Sequence, residues 1–148
     1  MRIEDEIKQD KFHSEQQKVT INLLYTSSWI TNKHKEFFKS YNITPQQYNV
    51  LRILRGQHPQ SISTSAIKDR MLDRNSDVSR IVDRLTTKQL VSKSTCPDDR
   101  RLVDVVISDN GLLLLKKMDK AVEKLDTTVN LNEEEAKKLN ELLDKVRS

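Results

Sequence analysis

The chain is poor in the residues that punctuate and cross-link a fold. Two Gly and three Pro in 148 residues leave too little turn material for an all-β architecture of many short strands. A single Cys excludes an internal disulfide and gives no support for secretion. No apolar run approaches the roughly 18–20 residues of a membrane span, and the opening stretch MRIEDEIKQDKF lacks a signal peptide's apolar core. What remains is 35% hydrophobic and 32% charged residues, a balance suited to helices with wide solvated faces. The expectation is a mainly α, cytoplasmic protein. The net charge of +4 is too small to establish a nucleic-acid partner.

The placement of the arginines says more than their sum. Eight of the ten Arg lie between positions 52 and 101, whereas most Lys lie outside that stretch. The planar guanidinium fork suits phosphates and guanine edges. Asp69, Asp73, Asp77 and Asp83 are interleaved with these arginines, so local ion pairing and nucleic-acid binding both remain open on this evidence.

Both ends of the chain read as long helices. From about Glu4 to Tyr41 there is no Pro or Gly, and Phe12, Val19, Leu23, Ile30, Phe37 and Tyr41 recur at helical steps. Unbroken, these residues would form a rod of roughly 55 Å, longer than so small a domain can cover. Toward the other end, Leu114, Met118, Ala121, Val122 and Leu125 form one apolar face behind a Ser108 cap. Ala136, Leu139, Leu142, Leu143 and Val146 form another over about 132–146. These faces need a partner, and a second copy of the chain is the simplest one.

The middle is more sharply punctuated. Thr44-Pro45-Gln46-Gln47 reads as a capping box with Pro at the first helical position, and Gly56 is placed to end that helix. A shorter helix starts at Ser63 and ends near Met71 or Leu72. Asp73-Arg74-Asn75 reads as a tight turn with Asn75 as the next N-cap. The following helix, about 76–88, places Val78, Ile81, Val82 and Leu85 on one face and Ser76, Ser79, Arg80 and Arg84 on the other. Two short helices joined this way read as a helix-turn-helix, though an ordinary helical hairpin with a solvated face fits the same residues. After Leu90 the period changes. Val91–Cys96 and Leu102–Ile107 read as strands around Pro97-Asp98-Asp99, giving a hairpin with Arg100 and Arg101 at its tip. A lone hairpin is unstable and must lean on the helices, which makes the whole a winged helix-turn-helix.

In that order of elements the chain resembles the multiple-antibiotic-resistance-regulator (MarR) family of bacterial transcription regulators. The most specific match is Asp99-Arg100-Arg101 with the alternating strand behind it, then Ile107-Ser108 and Gly111; Ser79-Arg80-Ile81-Val82-Asp83-Arg84-Leu85 is similar to the family's recognition helix. Gln89 departs from the pattern, standing where the family usually has Gly. The resemblance implies a helical dimerisation region at 1–42 and 112–148, flanking a winged helix-turn-helix at 43–111. It implies a homodimer that binds a pseudo-palindromic operator in double-stranded DNA, usually to repress. Ser76, Ser79, Arg80 and Arg84 would then face the major groove, Arg100 and Arg101 the minor groove, and Asp99 would orient the wing arginines.

The resemblance also implies a small phenolic or other aromatic effector, for which Tyr25, Trp29, His34 and Tyr48 are the candidates. Those rings read equally as ordinary core or interface aromatics. Cys96, beside the wing, reads as a small strand residue rather than a thiol switch. His13, His34 and His58 lack metal-ligand spacing, and no phosphate loop, nucleophile elbow or catalytic carboxylate pair occurs. No cofactor, metal or enzyme activity is expected. The competing reading is a winged-helix protein-interaction module without sequence-specific DNA binding.

Overall fold

A computed structural model describes residues 1–95, 97–99 and 101–148. The chain begins with a short helix α1 (Ile3–Ile7) and a long helix α2 (Glu15–Lys39), not one continuous rod. Two local features make the break. Lys8 is left-handed at φ 54°, and Ser14 caps α2 by accepting the Gln17 N–H. Gln17 in turn accepts the His13 N–H at 2.7 Å. The 25 residues of α2 span about 37 Å, so the expected length shrinks by a third.

The chain leaves α2 through left-handed Asn42, with the Ile43 N–H reaching the Phe38 carbonyl and the Asn42 N–H that of Lys39. This is a Schellman-type exit. Helix α3 (Pro45–Gln57) opens on the expected box: Thr44 Oγ1 accepts the Gln47 N–H at 3.0 Å and Gln47 Oε1 accepts the Thr44 N–H at 3.2 Å. Gly56 does not end it; the helix continues through Gln57, and His58, held out of the helical region before Pro59, caps it.

Strand β1 (Ile62–Ser63) runs into α4 (Thr64–Arg70), capped by Ser63 as the sequence indicates. After the connection Met71–Asp77 comes α5 (Val78–Thr87), then β2 (Val91–Thr95) and β3 (Val103–Ile107). The hairpin gains a third strand that periodicity did not reveal: the sheet order is β1-β3-β2, antiparallel, with Ile62 opposite Val105. Helices α6 (Asp109–Asp126) and α7 (Glu133–Arg147) complete the chain.

Two compact units result, Met1–Leu112 and Leu113–Ser148. In the first, Val50, Leu51 and Leu54 of α3, Ile67 of α4, Val82 and Leu85 of α5 and Val105 of β3 are completely buried. Each such aliphatic side chain contributes about 1.5–3 kcal/mol through burial, enough to hold α5 and the hairpin on one core. In the second unit, Leu115 and Met118 of α6 are fully buried, while no residue of α7 is. Among the described residues no helix is long and apolar enough to cross a membrane.

Candidate nucleic-acid interface

Helix α5 is strongly two-faced. Val78, Val82 and Leu85 are buried, whereas Ser79, Arg80, Asp83 and Arg84 are exposed. Its N-cap is Asp77, whose carboxylate accepts the Arg80 N–H at 3.2 Å, rather than Asn75. Asn75 belongs to the preceding turn, where its N–H is held by Asp73 Oδ1 at 2.9 Å. The connection Met71–Asp77 is thus longer than the tight turn expected, and Asn49 of α3 braces it by accepting the Leu72 N–H at 2.9 Å.

The four recognition candidates separate. Ser79, Arg80 and Arg84 share the exposed face of α5, but Ser76 precedes the helix and is only 7% exposed. Its hydroxyl has no hydrogen-bond partner among the described residues. As placed, it sits at the foot of the helix and does not reach outward with the others.

The hairpin is tied to α5 directly: Lys93 of β2 bonds Asp83 Oδ1 at 2.5 Å. Val91, Val105 and Ile107 face the core, consistent with the alternation read from the sequence. At the tip, Asp99 Oδ1 accepts the backbone N–H of Arg101 at 3.0 Å, and the Asp99 carbonyl accepts that of Leu102. Asp99 therefore shapes the backbone from which Arg101 projects, and Arg101 is exposed. Arg100 and Cys96 lie outside the described residues.

One compact joint connects α5, the hairpin and α6. Gln89 is left-handed at φ 61°. Its N–H reaches the Thr86 carbonyl and that of Leu90 the Leu85 carbonyl, the paired bonds of a Schellman motif. Ser108, directly after β3, donates its hydroxyl to the Gln89 carbonyl at 2.8 Å and accepts the Gly111 N–H at 3.1 Å. A Cβ on Gly111 would lie 2.4 Å from the Leu90 carbonyl oxygen and 2.6 Å from Ile107 Cγ1. The Ser108…Gly111 spacing thus has a physical reason: the hydroxyl bridges two backbones, and only Gly permits their approach.

The four aromatic candidates do not share one pocket. Tyr25 and Trp29 border a cavity of about 250 Å³ with Ile3, Glu6 and Asn22. Tyr25 donates its hydroxyl to Glu6, and that bond with a neighbouring carboxylate raises the phenol's pKa. Lys33 lies over Trp29, 4.9 Å from the ring. His34 and Tyr48 instead flank Phe38, His34 edge-on at 6.0 Å and Tyr48 stacked at 4.4 Å. Among the described residues no group of three or more His, Cys, Asp or Glu is placed to hold a metal ion.

Comparison with known proteins agrees with this geometry. The family model described as "MarR family" matches residues 43–103, from the α3 cap to the start of β3. The regulator MgrA of Staphylococcus aureus is 28% identical over 125 residues, covering 83% of this chain and 84% of that protein. A MarR transcription factor of Planctomyces limnophilus, solved by crystallography, is 33% identical with a TM-score of 0.71, covering 93% of this chain and 98% of the other. An E. coli MarR variant solved with operator DNA has the same fold, with a TM-score of 0.77, 23% identity and coverage of 93% and 99%. The chain belongs to the MarR family of winged-helix, DNA-binding transcription regulators.

Proposed function

We propose that this protein is a homodimeric, cytoplasmic transcriptional repressor that reads a pseudo-palindromic operator. The observation that carries the reading is the two-faced α5, bonded to the hairpin through Lys93 and Asp83. Its buried face fixes the helix on the core, so the exposed face enters the major groove as a rigid unit. Ser79, Arg80 and Arg84 lie on base edges and phosphates, with Ser76 buried behind them at the foot of the helix. Arg100 and Arg101 lie at the adjacent minor groove, whose negative potential favours guanidinium. Asp99 orients the wing arginines, Arg101 through its backbone N–H, rather than touching DNA, since its own charge is repelled by phosphate.

The dimerisation region is the helical flanks, 1–42 and 112–148. Support comes from the apolar side chains they leave in solvent: Leu24 at 68% exposure on α2, and Leu142 and Val146 at 52% and 61% on α7. A second copy covers them, and its twofold axis sets two half-sites about one helical turn apart. Release by a small aromatic effector belongs to the same reading. Tyr25 and Trp29 offer such a ring an aromatic wall, whereas His34 and Tyr48 are engaged with Phe38.

Arg101→Ala tests the wing. A gel-shift titration at fixed salt should show operator binding weakened by about 1–3 kcal/mol. Unchanged binding removes Arg101 from the interface. Adding phenolic acids to the same titration tests release.

A further inference from the structure

A second basic surface lies beside α5, where α2 ends and α3 begins. There a cavity of about 580 Å³ is bordered by Lys35 and Lys39 of α2, Thr44 and Gln47 at the α3 start, and Arg84 and Lys88 at the end of α5. No carboxylate borders it among the described residues. Lys88 donates to the Asn42 carbonyl and to Gln47 Oε1 at 3.3 Å, neutral acceptors that leave its charge uncompensated. Among the described residues neither Lys35 nor Lys39 pairs with a carboxylate.

The spacing organises these charges into two lines. Lys35 and Lys39 are four apart on α2, and Arg80, Arg84 and Lys88 follow at the same interval along α5 and its cap. Residues four apart share a helix face, so the α5 line covers about 12 Å. The two lines meet at the cavity, because Arg84 and Lys88 border it together with Lys35 and Lys39. Arg84, Thr44 and Gln47 also border an adjoining groove of about 450 Å³ that extends to Arg80, where Asp73 and Asp77 supply the carboxylates that the first cavity lacks. Like charges crowded without counter-charge are stabilised by a polyanion, and a line of them matches a row of phosphates rather than a single small anion.

We infer that the α2–α3 corner is a phosphate clamp: Lys35, Lys39 and Lys88 hold the sugar-phosphate backbone of duplex DNA alongside the groove read by α5. The inference rests on the DNA-binding reading above and adds residues outside the recognition-helix and wing candidates. Contacts of this kind position the protein and carry no sequence information.

The test is fluorescence anisotropy on full-length protein carrying Lys35→Gln and Lys39→Gln. The probes are a duplex recovered by selection and a mixed-sequence duplex of equal length, titrated across a range of NaCl concentrations. Both duplexes should weaken by the same factor, and the slope of log affinity against log salt should become shallower by about 3.6, near 0.9 for each of the four phosphate contacts that a dimer loses. The Lys35→Arg, Lys39→Arg double variant should restore the slope. Arg80→Ala, by contrast, should reduce the preference for the selected duplex. A wild-type slope in the Gln variant, with thermal unfolding unchanged, overturns the clamp while leaving the DNA reading intact. Loss of benzoate binding in that variant with an unaltered DNA slope overturns it in favour of a small-anion site. Wild-type protein that binds neither duplex overturns both readings.

Discussion

Gln89 occupies a left-handed backbone position at φ 61°, where a side chain costs roughly 1–2 kcal/mol and Gly costs nothing sterically. Gln89→Gly should therefore raise stability by about 1 kcal/mol after allowance for the freer unfolded chain, read as a higher urea midpoint at unchanged slope. An unaltered midpoint would mean that the Schellman bonds already absorb the strain. Gly111→Ala should do the reverse. With the Leu90 carbonyl 2.4 Å from the new Cβ, backbone must move, at a cost of about 1–3 kcal/mol, and a midpoint equal to wild type would refute the close approach. Both positions were legible from the chain itself, one as a departure from the family's Gly and one as its Gly. The burial of Ser76 was not. Its place on the wheel of a helix over 76–88 puts it outward, and only the longer Met71–Asp77 connection turns it in.

At the scale of elements, legibility followed locality. The Thr44 box and the Ser63 cap are written within four residues of sequence, and both helices begin where those residues indicate. The break between α1 and α2 was just as local, in Ser14 and Gln17, but the apolar stripe running across it dominated the reading. Strand β1 is two residues long and exists only because Ile62 and Ser63 lie opposite Val105 and Asp104, so no period within it could reveal it. The docking of α1 has an acid-sensitive contact. Glu4 bonds Lys18 at 2.5 Å, and this bond first, then its own backbone N–H and Arg2, draws its pKa down to about 2. A carboxyl with a lowered folded pKa stabilises above its ordinary value near 4.3 and loses that contribution as pH falls toward 2. Trp29, the only tryptophan, borders the same cavity as Ile3, so its fluorescence should change across that window. Lys18→Met should move the change upward toward pH 4; identical titrations would dissociate Glu4 from α1 docking.

For the whole molecule, the winged helix and the long terminal helices follow from the sequence because core, caps and hairpin alternate at distinct periods. The pairing of two copies does not lie within one chain. It is argued instead from what one chain leaves uncovered, above all α7, an amphipathic helix with no buried residue. The positions of the aromatic candidates were equally beyond local reading: helical spacing cannot tell that Phe38 stands between His34 and Tyr48 while Tyr25 and Trp29 border another cavity. The central claim is that two copies present α5 and the hairpin to one duplex. Selection from a random duplex pool, with sedimentation of the recovered complex, measures this directly. The account predicts an inverted repeat with half-sites about one helical turn apart, bound at least about 10³-fold more tightly than unselected duplex, with two chains per site. A pool that remains unenriched after repeated rounds, or a complex sedimenting with one chain per duplex, would contradict it.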